Sequence, residues 1–599
     1  MKRQRGSTYV KFGIVVLIAT YLSSCNQNPA TTIILEQGKT YYSISIPEFA
    51  TPYELYAAEL LQNTILESTG VGLDIGFSTE SVRKQIYIGG SQLTDSNLVQ
   101  RIGQLNNDEF IIHNSKDFIV LAGGGTRGTI YAVVEFLSRY MGCRWYTPES
   151  RLIPTLKRIT LEMTSETYTP SFDYRDVHYI SSFDDQWAVL NKVTPVKNDI
   201  PDSLGGSIRI RPHSHSFFRF IPPRVYFESY PEYFALINGR RDWRNGQLCL
   251  TNQSMKSEFV KYVDQFIIEN PNTDLIALDQ EDLHKWCTCD NCAKRNPSDN
   301  LHNFIGDVID EVSHSYPKQR FTTLAYLDTE IPTTLDSINS NLTIRLCRMG
   351  YCDAHAVDQC RHLQHFIKKS QIDFVNNINL WSELTDNLII WDYYTDFSHY
   401  LMPYPNHLSW TGNVKYYHSV GAIGVFAQGP GKDYDQFSEL KAWVLAQLMW
   451  DISQDPDDLI EEFIGHYYGE ASEYILDYYK LLNELMDYSD AYLIPYSGSS
   501  YLTNEFLLEG EQLLNRAAQE VNDSYTVLKR IDKVRLCHEY AQIVRSKEDI
   551  PIKNFSQYTL SNIAESFITN CQSAGIRRFR ERRGEITSFF ESLRPKRPF

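Results

Sequence analysis

The 599-residue chain predicts an α/β multidomain protein: a small N-terminal α/β domain, a central (β/α)8-type TIM barrel and a C-terminal helical region. Three observations predict it. The chain is too long for a single core, and ordinary domain sizes divide it into roughly three to five units. Between residues 172 and 450, seven apolar runs alternate with helical stretches: FDYRDVHY, EYFALING, DLIALD, RFTTLAYL, LTIRLC, NLIIWDYY and AIGVFAQG. Several are apolar throughout, the pattern of parallel strands buried on both faces. From 455 to 599 the periodicity becomes that of amphipathic helices, as in DDLIEEFIGHYYG and SEYILDYYKLLNELMDYS.

In chain order, residues 1–25 read as an export signal. Lys2, Arg3 and Arg5 form a basic start, and FGIVVLIATYL (12–22) is an apolar run too short to span a membrane. The run ends in Leu22-Ser23-Ser24-Cys25, which resembles a bacterial lipoprotein box with Cys25 as the lipidated residue. An exported protein is expected, and Asn26, by resemblance to enterobacterial sorting, favours the outer membrane. NQNPATT (26–32) is a polar tether. Residues 33–165 form the small α/β domain. Its first helix, PYELYAAELLQNTILESTG, sets Leu55, Ala58, Leu61 and Ile65 on one face and stops at Gly70. QIYIGG is a strand, EFIIHNSKDFIVLAGGG a hairpin turning at 114–117, and GTIYAVVEFLSRYMG the second helix. GGGTRG (123–128) fits the G-x-G-x-x-G dinucleotide pattern, but it follows a hairpin rather than opening a parallel β-α-β unit, so a tight turn is expected.

Charge excludes one class of partner. With 74 acidic against 57 basic residues the net charge is −17, and a nucleic acid would be repelled. Thirty-nine Tyr, 30 Phe and 9 Trp suit a groove that stacks on sugar rings, as they suit large cores.

A barrel strand delivers whatever follows it to the barrel mouth, which draws attention to LDQEDLHKWCTCDNC (278–292). Asp279, Glu281 and Asp282 follow the third apolar run, and crowding of like charges raises the pKa of one of them, as a general acid requires. An EF-hand is excluded by the missing glycine and ligand spacing. Cys287, Cys289 and Cys292, with Cys249 of GQLCLTN, have spacing that suits a closed zinc site. Export makes disulfides the other reading, with Cys347, Cys352 and Cys360 as further partners. A structural role is expected in either case; no metal is favoured and no cofactor is called for. His213 and His215 in RPHSHSF can bond sugar hydroxyls. Trp391, Asp392 and Tyr393 end the sixth run: Asp392 and Tyr393 are candidate polar contacts at the mouth, and Trp391 would pack in the barrel or floor a sugar pocket. Asn406 in PYPN and Gln428 in FAQG are candidate hydroxyl contacts.

These segments carry a resemblance. Residues 33–165 resemble the N-terminal accessory domain of family 67 alpha-glucuronidases and family 20 hexosaminidases, through ELYAAELLQNTILESTG, QIYIGG, DEFIIH and GGGTRGTIYAVVEFLSRYMGCRWYTPE. Residues from about 172 to 470 resemble the domain-of-unknown-function 4838 family, through HSFFRFIPPRVYFESYPEYFALINGRR, GQLCLTN, LDQEDLHKWCTCDNC, LIIWDYYTDF, PYPN, GAIGVFAQG and LMWDISQDPDDLIEEFIGHYYG. Part of that family is classed as glycoside hydrolase family 163, endo-β-N-acetylglucosaminidases acting on complex N-glycans. The resemblance implies a retaining hydrolase in which the substrate's acetamido group is the nucleophile. One carboxylic acid would protonate the leaving oxygen and a second carboxylate would hold the acetamide N–H. Glu281 is expected as acid/base and Asp282 as orienting partner, an order reversed from the Asp-Glu pair of family 20; the resemblance equally allows Asp392 or Tyr393 to orient the acetamide, with Asp282 then a support residue. Two further functions keep the same architecture. An alpha-glucuronidase-like exo-hydrolase would need cations for a uronate, with Arg345 and Arg348 the candidates, and a non-catalytic glycan-binding lipoprotein would keep the aromatics alone. The expected partners are a glycan or glycoprotein and, through the lipid, the outer membrane.

Overall fold

The computed structural model describes residues 31–77, 83–360, 371–486, 493–494, 499–547, 557–582, 584–586 and 588–589. The export signal with Cys25, and most of the tether, lie outside the described residues. Thr31 and Thr32, the end of the tether, already belong to the strand Thr31–Glu36.

The N-terminal domain is built on a six-stranded mixed sheet. Tyr42–Ile46, Lys84–Ile88 and Phe118–Gly123 run parallel in its middle, and the hairpin strand Phe110–Asn114 pairs antiparallel with Phe118–Gly123. Helix Pro52–Thr69 starts at a capping box in which Thr51 and Glu54 exchange hydrogen bonds, and ends where Gly70 takes φ 72°. Ala58, Leu61 and Ile65 are buried as expected, but Leu55 is 41% exposed and Ala57, Thr64 and Ser68 complete the buried stripe. The first glycines of GGGTRG do more than turn. A Cβ on Gly123 would lie 2.2 Å from the Gly128 backbone, and one on Gly124 would lie 2.1 Å from the Asn106 carbonyl, so the strand meets the helix Gly128–Met141 only because both lack side chains. Thr126 of this turn donates to the Gly205 carbonyl at 2.6 Å. The motif therefore packs one domain on the next.

That seam is also ionic. Buried Asp108 accepts from Arg127 at 2.6 Å and from Arg175 at 2.7 Å, and Arg175 belongs to the second domain. Trp450 stacks on Phe110 of the first domain at 5.8 Å and lies 5.3 Å from the Arg175 guanidinium.

The second domain carries a seven-stranded, all-parallel sheet. Its strands in chain order are β1 (Tyr174–His178), β2 (Ile210–Arg211), β3 (Leu275–Ala277), β4 (Arg320–Ala325), β5 (Leu342–Cys347), β6 (Leu388–Tyr393) and β7 (Gly424–Gln428). Spatial order runs β1-β7-β6-β5-β4-β3-β2, so the first strand pairs with the last while β1 and β2 do not join. The result is a parallel half-barrel of TIM type with seven strands among the described residues, where eight were expected. Six of the seven apolar runs are barrel strands. The exception is EYFALING, whose Leu236–Ile237 pairs with Arg240–Arg241 in a separate antiparallel ribbon; the strand in its stead is the two-residue β2. The uniformly apolar runs follow from burial on both sides. Tyr174, Leu275, Leu324, Ile389, Trp391 and Phe426 fill the interior, while Val177, Ile276, Ile344, Ile390 and Val425 join the main core.

Helices Ser438–Trp450, Pro456–Tyr468, Ser472–Asn483, Asn504–Glu520, Tyr525–Lys547 and Gln557–Ser573 follow. Among the described residues no helix is long and apolar enough to cross a membrane. The chain then returns to the barrel mouth: the Tyr400 N–H donates to the Phe579 carbonyl at 2.8 Å, and the Glu581 N–H to the Phe397 carbonyl at 2.9 Å.

Candidate functional site

At the C-terminal ends of the strands lies a cavity of about 250 Å³ lined by His213, His215, Asp282, Trp391, Tyr393 and Gln428, among others. Pockets that enclose a drug-sized ligand usually measure about 300–1,000 Å³, so this one lies just below that range. Alternation along the strands decides which side chains reach it. Trp391 and Tyr393 point inward with Ile389. Trp391 floors the cavity, with its indole N–H donating to Gln428 Oε1 at 2.6 Å and its ring meeting His213 edge-on at 5.5 Å.

The two histidines sit on the loop after β2. Burial, then the nearby Arg345 charge, pushes the His213 pKa well below its ordinary value, so its ring is neutral. His215 takes φ 51°, and its Nδ1 lies 2.9 Å from the Gln280 carbonyl. A carbonyl only accepts, so Nδ1 carries a proton.

The acidic turn divides three ways. Asp279 is fully buried beneath the cavity and bound to Arg345 at 2.5 Å. Its pKa is raised, burial outweighing the opposing guanidinium. It is therefore no direct substrate contact, contrary to expectation. Arg345 also donates to the His213 carbonyl at 2.8 Å, so the pair braces the histidine loop from below. Glu281 turns away from the cavity lining: its carboxylate accepts from the Phe218 N–H at 2.7 Å. Burial, reinforced by Asp279 and Asp282 and opposed by that hydrogen bond, lifts its pKa to about 7. Asp282 lines the cavity, accepting from the Tyr326 hydroxyl at 3.2 Å and facing Arg582 at 3.4 Å.

Two expected site residues are elsewhere. Asp392 projects outward from β6, away from the cavity, and is fully buried among Arg348 (3.0 Å), Asn413 (3.0 Å) and Tyr417 (2.6 Å). With its oxygens occupied it holds the barrel to its helices and cannot orient an acetamide. Arg348 is enclosed in the same network with Asp353. Asn406 is buried and donates to the Tyr394 carbonyl at 3.2 Å, outside the cavity lining.

Residues that local reading missed complete the wall. Lys197 lies with its ammonium 6.0 Å from the Phe426 ring, and Glu581 and Arg582 arrive from the C-terminal hairpin. Arg582 is 300 positions from Asp282, a separation no local motif reports. Tyr326, just past β4 in the run RFTTLAYL, also lines the cavity and was not singled out from the sequence, although its place after a strand was a usable signal.

The cysteines form two groups. Cys249, Cys287, Cys289 and Cys292 bring their sulfurs within 4.8 Å of one another, while Cys352 and Cys360 gather separately with His355. Cys347 points into the barrel. The expectation of further partners for the first group among Cys347, Cys352 and Cys360 is not met. All ten cysteines among the described residues are free of disulfides.

A parallel half-barrel behind an α/β sheet domain is the architecture of this chain, and solved structures share it in part. A solved structure described as a family GH115 4-O-methyl-alpha-glucuronidase with specificity for decorated arabinogalactans superposes with TM-score 0.52 and 11% identity, covering 90% of this chain and 77% of its own. A GH138 enzyme targeting pectin rhamnogalacturonan II aligns over 89% of this chain and 74% of its own, at TM-score 0.41 and 10% identity. No curated protein matches the chain. Residues 145–480, more than half the chain, match the family model described as Domain of unknown function (DUF4838), and the protein belongs to that family.

Proposed function

We propose that the protein is a glycoside hydrolase acting at the barrel mouth, and that its substrate is a β-linked N-acetylglucosamine glycan of the complex N-glycan type. The observation that carries the reading is the neighbouring pair after β3, in which Glu281 has its pKa lifted to about 7 and Asp282 faces an aromatic-floored cavity. A carboxyl that keeps its proton near neutral pH can donate it to a leaving oxygen. In this proposal a sugar seats over Trp391, Asp282 receives the acetamide N–H, and Glu281 delivers the proton. The acetamide oxygen then attacks the anomeric carbon, the leaving sugar departs with Glu281's proton, and the resulting carboxylate later activates water. Catalytic groups commonly close on their targets only in the substrate complex, which is how Glu281 would exchange the Phe218 N–H for the glycosidic oxygen. Support for the substrate comes from the resemblance of part of this family to endo-β-N-acetylglucosaminidases. Export and lipidation at Cys25 belong to the same proposal and rest on the first 25 residues.

A second reading is favoured by the cations at the rim. Lys197 and Arg582 would receive the carboxylate of a uronic acid, the sugar that the GH115 neighbour's description names, whereas Arg345 is neutralised by Asp279. Incubating the protein with a complex biantennary N-glycoprotein and with a uronate-decorated arabinogalactan, each beside Glu281→Gln, separates the two by mass spectrometry. Released glycans with one reducing N-acetylglucosamine, lost in the variant, are expected. Release of uronic acid alone selects the second reading, and release of neither overturns both.

A further inference from the structure

Away from the barrel mouth, one group of side chains has a geometry that packing alone does not require. Cys249 follows the small antiparallel ribbon Leu236–Ile237/Arg240–Arg241, and Cys287, Cys289 and Cys292 lie on the segment that leaves the acidic turn. Cys249 Sγ is 3.5 Å from that of Cys287, 3.7 Å from Cys289 and 3.9 Å from Cys292. Four sulfurs each about 2.3 Å from a zinc ion, at tetrahedral corners, stand about 3.8 Å apart. A disulfide would bring two of them to about 2.05 Å. The donors around the cluster suit sulfurs that carry negative charge. The Leu236 N–H donates to Cys287 Sγ at 3.3 Å, the Arg241 guanidinium lies 3.7 Å from the same sulfur, and Thr251 Oγ1 is 3.1 Å from Cys292 Sγ. Ala235, Leu236 and Ile237 pack against the group and exclude water.

We propose that Cys249, Cys287, Cys289 and Cys292 form a closed, structural zinc site that holds the acidic turn in place. Binding would displace four thiol protons and move no electrons, leaving a tetrathiolate centre of formal charge about −2 that Arg241 partly offsets. Four protein ligands leave no position for water, so the centre is structural rather than catalytic. Its reach to the proposed acid runs through Gln247, two residues before Cys249. The Gln247 amide accepts from the Glu281 N–H at 2.9 Å and donates to the Glu281 and Leu283 carbonyls at 2.8 Å each. The Gln247 N–H also donates to the Lys285 carbonyl at 3.0 Å. Zinc between Cys249 and Cys287 would thus close a loop whose other side is the Gln247 clamp. The second group, Cys352, His355 and Cys360, offers three ligands and is not part of the proposal.

The test is metal analysis of the full chain, purified without chelator. About one zinc per chain is expected, released completely when a mercurial has consumed four thiols, with a thiolate-to-cobalt charge-transfer band after cobalt substitution. Cys249→Ser and Cys289→Ser should each lose the zinc and gain protease cutting between residues 281 and 292. Zinc retained by both variants would assign the metal elsewhere and overturn the proposal. So would iron in place of zinc, or non-reducing peptide maps of the unaltered protein showing these four cysteines as disulfides or as free thiols without metal. The mapping does not depend on the variants folding. Metal content and thiol state are read without a substrate, so failure here and failure of the hydrolase reading are distinguishable.

Discussion

Asp279 and Asp392 both follow the apolar body of a barrel strand, and they serve opposite sides of the wall. Asp279 lies beneath the cavity and braces Arg345; Asp392 lies among helices and neutralises Arg348. A shift of one position along a strand reverses the side on which a residue is found, which is why a cluster of polar residues at strand ends does not by itself identify the ones that meet substrate. The distinction gives a prediction. Asp392→Ala leaves Arg348 buried with Asp353 as its remaining carboxylate partner, a loss on the order of 3–5 kcal/mol. Thermal unfolding should show a large fall in Tm, whereas KM measured below the new transition should stay within about twofold. A rise in KM at unchanged Tm would return Asp392 to the substrate.

At the scale of elements, the C-terminal hairpin does for the site what a long barrel loop otherwise does. Arg578–Arg580 and Gly584–Glu585 form a ribbon whose tip carries Glu581 and Arg582 to the cavity. Arg582 is 76% exposed on its side chain, so Arg582→Ala should leave Tm unchanged while raising KM several-fold, with kcat little affected; an unaltered KM would remove the hairpin from the site. Much of the barrel was legible because a strand buried on both faces is largely apolar, and six such runs stand out even though three carry buried charges, Arg175 and Asp176, Arg345, and Asp392. β2 was illegible because two residues carry no periodicity. EYFALING misled because Ala235, Leu236 and Ile237 pack on the cysteine group and Tyr233 and Phe234 in the main core, none of them in the barrel interior. The acidic turn, Trp391 and Gln428 could be read from their positions at strand ends, and His213 and His215 only from the RPHSHSF stretch itself. Lys197, Glu581 and Arg582 could not, since tertiary contact alone brings them to the wall.

For the whole molecule, the sheet domain and the barrel are joined by a buried ionic seam. Asp108 from the first domain sits between Arg127 of its own domain and Arg175 of β1, buried with them under Trp450. Asp108→Ala would leave two guanidinium groups facing each other without a counter-ion, a cost again on the order of 3–5 kcal/mol. Calorimetry should then resolve an early transition of the N-terminal domain ahead of the barrel, and a single undivided transition at the original Tm would show that the seam carries no such load. The seam matters to the site because Gly205, packed on the GGGTRG turn, leads within five residues into β2 and the histidine loop.

The central claim, that Glu281 supplies the proton at the barrel mouth, is tested most directly by the pH dependence of kcat/KM for glycan release, which reports groups of the free enzyme. A carboxyl with its pKa lifted to about 7 is protonated below that value and loses its proton above it. The rate should therefore fall about tenfold per pH unit above about 7 in the unaltered protein. Glu281→Gln should be slower by about 10²–10⁴-fold and lack that alkaline limb. Superimposable profiles for the two proteins would contradict the assignment and leave Asp282 or Glu581 as the acid to be sought.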